Sequence, residues 1–246
     1  MQFTTSALTA ILATLASAQQ LKIPARTGPV NSLSAARFIS GVVDLGNKEF
    51  DRGRPCNTDA DTGDVSAVFM LEAGATLKNV IIGANQLEGI HCKGACSLIN
   101  VWFRDVCEDA ITIIGPGDVL IQGGGAQNAI DKVVQHNGRG TVTIKDYTCV
   151  NVGKIARSCG NCSQQKGTRR FIITGLRAFG VTADVVGINA NYGDTATISG
   201  SCGTNVAHVC QEFTGVLKAS HMESPKMKDM KACGGPQGKL ATLPKC

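Results

Sequence analysis

The sequence predicts a single-domain, all-β protein that folds as a right-handed parallel β-helix, a solenoid in which each coil stacks its strands on the coil before it. Three observations support this fold class. Helical periodicity is scarce between Gly74 and Gly203. A short β-rich phrase recurs at intervals of about one coil, and eleven cysteines make the chain disulfide-rich.

The recurring phrase is an apolar residue, any residue, and then asparagine, glycine or aspartate, which favour tight turns. Its copies begin at positions 77, 98, 121, 144, 173 and 198, so the successive steps are 21, 23, 23, 29 and 25. A period of about 20–50 residues indicates a solenoid, in which each repeat buries its apolar face against its neighbours. Because the repeats lack an amphipathic helix, we expect parallel strands stacked at about 4.8 Å.

An antiparallel sandwich is the alternative fold, since it too joins short strands by turns. Its turn signals would recur about every 8–12 residues, which is shorter than the observed steps. The longest step contains KIARSCGNCSQQKGTRR, residues 154–170, and predicts an extra loop on that coil. Loops raised on a rigid scaffold often carry binding chemistry.

The segment 1–18 has the pattern of a secretory signal peptide, because an apolar stretch from Leu8 to Leu15 leads into the small residues ASA. This stretch is too short to span a membrane, which takes about 20 apolar residues. We therefore expect a secreted, extracellular protein with one domain over residues 19–246 and no membrane anchor. The modest net charge of +5, without an aromatic-rich basic patch, favours an acidic extracellular polymer over nucleic acid as partner. We expect a monomer.

The cysteines should be mostly paired in an oxidising compartment. Because eleven is odd, at least one thiol remains, and Cys107 is the candidate for a buried free cysteine because it lies in an apolar run. The motif CGNC, Cys159 to Cys162, predicts a disulfide at a tight turn. A zinc or thioredoxin-like site is the alternative, but the second cysteine pair or the βαβ context that these need is missing from the sequence.

The spacing of acidic residues predicts a charged face on the solenoid. Glu108 follows Glu88, and Asp131 follows Glu108, at close to the step of the recurring phrase, so one coil separates each pair. Stacked carboxylates repel one another unless a cation neutralises them, and hard oxygen ligands suit Ca²⁺. A solvated face paired with lysine and arginine is the alternative.

Two lysines stack beside these acids. Lys154 follows Lys132 by about one coil, and a neighbouring positive charge should lower the pKa of Lys132, which would suit it to act as a general base. Arg157 stays protonated and could hold a carboxylate by two hydrogen bonds. With calcium, these groups suit the removal of a proton α to a carboxylate, the C5 proton of a uronate sugar, followed by β-elimination of the O4 oxygen.

Several long phrases carry a resemblance to a known family. They are DRGRPC, LEAGATLKNVIIGANQLEGIHC, FRDVCEDAITI, IDKVVQHNGRGTVTI and VGKIARSCGNC. In order and spacing they closely resemble the small secreted pectate lyases of polysaccharide lyase family three, over nearly the whole chain after the predicted signal peptide. The resemblance implies a single-domain parallel β-helix that cleaves de-esterified polygalacturonate, the pectin of plant cell walls, with Ca²⁺.

The resemblance also implies roles for individual residues. Lys132 resembles the catalytic base, and Lys154 and Arg157 resemble the groups that hold substrate carboxylates. The implied calcium site is Glu88, Glu108 and Asp109, with Asp131 near a second, substrate-bridging calcium.

Two positions depart from the family pattern. Ile130 stands where the family usually has aspartate, and Ile114 where it usually has lysine or another polar residue. These departures support one alternative, a catalytically weakened pectin-binding or host-recognised protein. A second alternative, a polygalacturonase on the same solenoid, would need two carboxyl groups flanking the scissile bond and has no use for a lysine base. We expect His136 to be structural, and the basic segment after Ser220 to form a disulfide-tethered cap.

Overall fold

A computed structural model describes residues 21–58, 60–165 and 167–246. The predicted signal peptide, residues 1–18, and the first two residues of the predicted domain lie outside the described residues. No helix in the described part of the chain has the length and hydropathy to cross a membrane.

Short β-strands and turns make up nearly all of the described structure, with three single-turn 3-10 helices at Asp64–Ser66, Ala190–Tyr192 and Lys218–Ser220. The strands are β1 Val30–Ser32, β2 Arg37–Ile39, β3 Val42–Asp51, β4 Ala67–Leu71, β5 Ala75–Ile82, β6 Glu88–Cys92, β7 Cys96–Phe103, β8 Asp109–Ile113, β9 Val119–Gln127, β10 Lys132–His136, β11 Gly140–Lys145, β12 Thr148–Val152, β13 Lys154–Ser158, β14 Arg169–Thr174, β15 Arg177–Asn189, β16 Thr195–Ser199, β17 Cys202–Phe213 and β18 Cys233–Gly234.

The strands form three parallel sheets that run the length of a right-handed solenoid. The first sheet stacks β2, β4, β6, β8, β10 and β13, followed by the C-terminal parts of β15 and β17. The second sheet stacks the N-terminal parts of β3, β5, β7 and β9, then β11, β14, β16 and β18. The third sheet contains β1, β12 and the parts of the long strands β3, β5, β7, β9, β15 and β17 that do not belong to the first two sheets. Every one of these strand pairs is parallel, so the predicted β-helix is confirmed and the antiparallel sandwich is excluded.

The recurring phrase forms one continuous row along the second sheet. Its apolar residues are register partners from coil to coil, from Leu77 through Leu98 to Ile198, and all of them are buried in the core. The third residue of every copy has a positive φ of 51–64°. Glycine, asparagine and aspartate tolerate this left-handed conformation best, which explains why the phrase ends in one of them.

The described residues form five disulfides, and one of the two cysteine predictions is wrong. Cys107 is bonded to Cys56, and the free thiol is Cys149, buried in β12. The apolar run around Cys107 misled the sequence argument, because a long loop brings Cys56 back to this coil. The predicted pair in CGNC is confirmed as a disulfide between Cys159 and Cys162.

The burial of Cys149 gives the first testable prediction. Burial raises the pKa of this thiol, so the reactive thiolate is scarce as well as inaccessible. We expect a thiol-alkylating reagent to leave the native protein unmodified and to label one cysteine after unfolding without reductant. Mass spectrometry of both samples measures this, and labelling of the native protein at Cys149 would contradict it.

The segment after Ser220 covers the end of the solenoid, as predicted. Disulfides join Cys246 to Cys202 and Cys233 to Cys210. The short strand β18 adds to β16 on the second sheet.

His136 is a core residue, which favours the predicted structural role. Its Nε2 lies 3.2 Å from the carbonyl oxygen of Gly140, and its ring meets Phe171 edge to face at 5.7 Å. Burial lowers the pKa of His136 to about 4, so the folded protein favours the neutral ring.

Stability should therefore decrease in acid. The contribution of His136 is fully present above its unfolded pKa of 6.5 and is lost as the pH falls through about 4. The difference between the two pKa values corresponds to a contribution on the order of 3 kcal/mol to the free energy of unfolding. Denaturant unfolding of wild type and of His136→Gln should be measured between these pH values. The free energy of unfolding should fall more steeply with decreasing pH in the wild type. The exposed His221→Asn is the control, and equal slopes for wild type and His136→Gln would contradict the prediction.

Candidate active site

A basic cleft of about 290 Å³ opens on the first sheet, over β10 and β13. Most of its lining comes from these strands and the CGNC turn, and the rest comes from the end of β17 and the segment that follows. The lining residues are Asp131, Lys132, Gln135, Lys154, Arg157, Gly160, Asn161, Phe213, Glu223 and Ser224.

The register of the first sheet brings the predicted lysines together. Lys132 begins β10 and pairs with Asp109 of β8 on one side and Lys154 of β13 on the other. The Nζ of Lys132 lies 3.3 Å from Asp109 Oδ1 and hydrogen-bonds Asp131 Oδ2. The Nζ of Lys154 donates to the other oxygen of Asp131 at 2.7 Å. Asp131 therefore bridges the two lysines, and the predicted stacking of Lys132 on Lys154 is present.

The predicted lowering of the pKa of Lys132 is wrong for this structure. Burial lowers this pKa, but Asp109 and Asp131 act in the opposite direction and outweigh it, so the pKa is raised. The sequence argument considered only the positive charge of Lys154. The structure places two carboxylates nearer to the ammonium group.

Asp131 is ionised between its two lysine partners. Burial raises its pKa, and the ammonium groups of Lys132 and Lys154 more than offset this, so the pKa is lowered. Its neighbour Ile130, one of the departures from the family pattern, is 74% exposed. An apolar side chain therefore projects from the rim next to the paired lysines.

Arg157 lies at the base of the cleft and is 6% exposed. One terminal nitrogen, Nη1, donates to the carbonyl oxygen of Ser158 at 2.7 Å and to Oδ1 of Asn189 at 2.9 Å. The other, Nη2, donates to Oγ of Ser224 at 2.8 Å. The guanidinium carbon lies 3.9 Å from the ring centre of Phe213, a cation–π contact. Burial lowers the pKa of Arg157 to about 10, so it stays charged at neutral pH.

The predicted metal ligands lie at the next coils of the same sheet. Glu88 and Asp109 begin β6 and β8, each two residues before the paired Ile90 and Ile111. Asp109 and not Glu108 is thus one coil from Glu88 in the register. Glu108 immediately precedes β8, beside Asp109.

Glu88 is buried and already hydrogen-bonded. Its Oε1 accepts from the backbone N–H of Thr62 at 2.9 Å, and its Oε2 lies 3.3 Å from Nε2 of His91. The other ring nitrogen of His91 lies 2.7 Å from Asp64. The loop that contains Thr62 and Asp64 therefore covers this part of the sheet, and the disulfide from Cys56 anchors it.

Glu108 and Asp109 share one small, negatively charged space. Burial and then the charges of Asp109 and Glu88 raise the pKa of Glu108 to about 9. Burial raises the pKa of Asp109 to about 6, although Lys132 acts in the opposite direction. The buried Oδ1 of Asp109 accepts no hydrogen bond from any described residue, although Lys132 is 3.3 Å away. A cation stabilises the ionised form of carboxylates that lie this close together with little access to solvent.

The donor chemistry of this cluster fits a hard cation, but the side chains do not yet converge on one point. Within residues 21–58, 60–165 and 167–246, no three His, Cys, Asp or Glu side chains are arranged to hold a metal ion as they stand. Glu88 is turned toward Thr62 and His91. Glu108 and Asp109 supply carboxylate oxygens, the ligand type that Ca²⁺ prefers.

The structure adds several residues to the cleft that the sequence argument missed. Asn189, Phe213 and Ser224 all contact Arg157, yet they lie 32 to 67 positions further along the chain. Asp184 is fully buried in β15, and its charge acts on Arg157, against the lowering of the Arg157 pKa by burial. The interval from Lys154 to Asp184 is close to the longest step of the repeat, and this spacing is the one signal that could have found it.

Comparison with known proteins identifies the family. The family model described as "Pectate lyase" matches residues 20–220. The chain belongs to the pectate lyase family. It is therefore an enzyme, a polysaccharide lyase that cleaves pectate, and the proposed resemblance is confirmed.

Fungal pectate lyases are similar over most of the chain. A probable pectate lyase E of Neosartorya fischeri is 50% identical over 208 residues, which cover 84% of this chain and 80% of that protein. Pectate lyase E of Emericella nidulans is 49% identical with the same two coverages.

Solved pectate lyase structures share the fold. The catalytic domain of pectate lyase PelI from Erwinia chrysanthemi superposes with a TM-score of 0.73 at 31% identity and covers 87% of this chain and 99% of that one. PelI in complex with tetragalacturonic acid superposes with a TM-score of 0.69 at 33% identity, over 84% of this chain and 71% of that one. Membership of this family favours a lyase over both alternatives, the polygalacturonase and the non-catalytic binding protein.

Proposed function

We propose that this pectate lyase is a secreted enzyme that cleaves de-esterified polygalacturonate by calcium-dependent β-elimination and releases 4,5-unsaturated oligogalacturonides. The observation that carries the proposal is the position of Lys132, whose Nζ lies in the basic cleft between Asp109 and Asp131. A polymer with one carboxylate per sugar matches a cleft that contains two lysines and an arginine. The related PelI, which binds tetragalacturonic acid in its crystal structure, supports the same class of substrate.

Lys132 acts as the base in this proposal. Because the pKa of Lys132 is raised, its neutral amine is the minor form and is favoured by alkaline pH. This neutral amine takes the C5 proton, the C5–H electron pair forms the C4=C5 double bond, and the C4–O4 bond breaks. The departing O4 oxygen takes a proton from solvent. Asp109 and Asp131 hold the amine in place, and Lys132 is itself only 12% exposed, so it has little freedom to move away from the sugar.

Lys154 and Arg157 orient the substrate. Lys154 is the more accessible of the two, with 28% of its side chain exposed, and its ammonium can turn from Asp131 to a uronate carboxylate. Arg157 is fixed by its hydrogen bonds and by Phe213, so it presents a positive charge of defined position. Such fixed charges lower the barrier because they need no reorganisation during the reaction.

Glu88, Glu108 and Asp109 would hold a resident Ca²⁺ ion, and Asp131 would lie near a second one bridged by substrate. A bound cation supplies positive charge that makes the C5 proton more acidic. The chain's own part is to keep these carboxylates near the base, with Glu88 and Asp109 buried and Glu108 partly buried. Binding would require Glu88 to turn from His91.

An absorbance assay on polygalacturonate at alkaline pH tests the proposed reaction. A lyase produces an unsaturated product that absorbs in the ultraviolet, whereas a hydrolase produces reducing ends without this absorbance. Absorbance that rises with reducing ends is expected. Reducing ends alone would replace elimination with hydrolysis, and binding without either product would support the non-catalytic alternative.

Secretion and the domain boundary are tested on the exported protein. We propose that cleavage leaves one domain that begins at or near Gln19. Intact-mass measurement of protein from the medium of an expressing fungus should give this start and five disulfides. A chain that begins at Met1, or one with eleven free thiols, would overturn the compartment assignment.

A further inference from the structure

The C-terminal segment, residues 214–226, completes one wall of the basic cleft. It leaves the end of β17 and passes along the CGNC turn, where Val216 N–H donates to the carbonyl oxygen of Gly160 at 2.8 Å. Lys218 N–H donates to the carbonyl oxygen of Cys162 at 3.2 Å. The segment then turns back, and Lys226 forms an antiparallel bridge with Phe213.

This path brings Ser224 to the buried arginine. The hydroxyl oxygen of Ser224 accepts a hydrogen bond of 2.8 Å from Nη2 of Arg157, across 67 positions of sequence. The fit depends on Gly160, because a Cβ atom there would lie 2.4 Å from Ser224 Oγ and 2.7 Å from Arg157 Nη2. Any side chain at this position would separate the two groups. The turn and the C-terminal segment are therefore shaped around this contact.

The donors of Arg157 can be counted. A guanidinium has five N–H groups. Two from Nη1 go to Ser158 and Asn189, and one from Nη2 goes to Ser224. Two N–H groups remain, the number that a carboxylate needs for a bidentate contact. Ser224 holds Nη2 in place, and Nη2 carries one of the two remaining N–H groups. The contact therefore limits rotation of the guanidinium plane in which both N–H groups lie.

We propose that Ser224 is a positioning residue for substrate binding: it orients Arg157 so that its two remaining N–H groups can hold a uronate carboxylate. This inference rests on the proposed function of the cleft. Ser224 lies beyond the family match, which ends at residue 220. The C-terminal segment thus adds to the cleft a contact that the matched part of the chain does not contain.

The variant Ser224→Ala tests the proposal in two assays. Hydrogen bonds to charged groups contribute enough that their loss corresponds to about a tenfold change in an equilibrium. On de-esterified polygalacturonate, KM should rise by about tenfold while kcat changes less. Calorimetry in a Lys132→Ala background should show that Ser224→Ala lowers the binding affinity for trigalacturonate by the same factor. The affinity for its methyl ester, which lacks the carboxylate charge, should change little.

Two further variants separate positioning from stability. Ser224→Thr keeps the hydroxyl and should restore wild-type KM and affinity. Ser220→Ala removes a hydroxyl from the same segment that bonds only neighbouring backbone groups, the carbonyl oxygen of Leu217 and the N–H of Met222, and should change neither. Three results would overturn the proposal. The first is that Ser224→Ala loses equal affinity for the acid and for its ester. The others are a folded Ser224→Thr that still loses affinity for the acid, and an unchanged KM in Ser224→Ala. If the wild type shows no lyase activity, the proposed function fails, whereas the calorimetric comparison still decides the role of Ser224.

Discussion

Replacing Lys132 with alanine is expected to lower kcat by about 10²–10⁴-fold, the usual contribution of a general base. The substitution removes the amine that lies between Asp109 and Asp131 in the cleft. It leaves Arg157 and its hydrogen bonds in place, so KM should change much less than kcat. Initial rates of ultraviolet absorbance on polygalacturonate measure both constants.

The arginine variant of the same position is the sharper test. Lys132→Arg keeps a positive charge, but a guanidinium gives up its proton only at very high pH. It should be nearly as inactive as the alanine variant. Lys145→Ala, which removes an exposed lysine from the second sheet, is the control and should keep wild-type activity. If Lys132→Arg retains more than about a tenth of the wild-type kcat, Lys132 acts as a charge, and the base must be sought at Lys154 or Arg157.

Removal of calcium should abolish turnover, and added Ca²⁺ should restore it. The physical reason is the group of Glu88, Glu108 and Asp109, in which burial raises the pKa of Glu108 and of Asp109, the charges of Asp109 and Glu88 raise that of Glu108 further, and one oxygen of Asp109 has no hydrogen-bond partner among the described residues. A ligand that binds only the folded state also raises its stability by mass action. Calcium should therefore raise the unfolding temperature as well as the rate, and both are measured with and without chelator.

A variant at Glu108 separates a metal ligand from a structural acid. Glu108→Ala should increase the calcium concentration needed for half-maximal activity, while the fold remains stable at ordinary temperature. Glu72→Ala is the matched control, because Glu72 is a more exposed acid that pairs with Lys93. Full wild-type activity in excess chelator would remove the metal from the mechanism. Unfolding of Glu108→Ala would support a structural role for this carboxyl.

The basic cleft combines groups from two different parts of the fold. The solenoid supplies Lys132, Lys154 and Arg157 from adjacent coils, at a spacing fixed by the parallel strands. The C-terminal segment supplies Ser224, and the end of β17 supplies Phe213. The first group resembles the family pattern in the sequence, whereas the second depends on how this chain ends its solenoid.

The solenoid itself was determined by the sequence, because a repeated unit contacts mainly its neighbours. The spacing of the recurring phrase matches the register of the second sheet at one apolar position per coil, from Leu77 to Ile198. The same rule placed Lys132 beside Lys154, because their separation in the chain is about one coil. The phrases around these lysines also pointed to the pectate lyase family without any structure.

Only the tertiary structure decided the features that do not follow the repeat. Cys107 pairs with Cys56 because an irregular loop returns to its coil, and this leaves Cys149 as the free thiol. The pKa of Lys132 is raised because Asp109 and Asp131 lie close enough to the ammonium group to outweigh its burial, and these distances are not contained in a sequence. Ser224 contacts Arg157 because the segment that contains it follows an irregular path, which does not obey the spacing of the repeat. Coil-to-coil contacts are encoded by spacing, whereas contacts made by loops depend on the folded path of the chain.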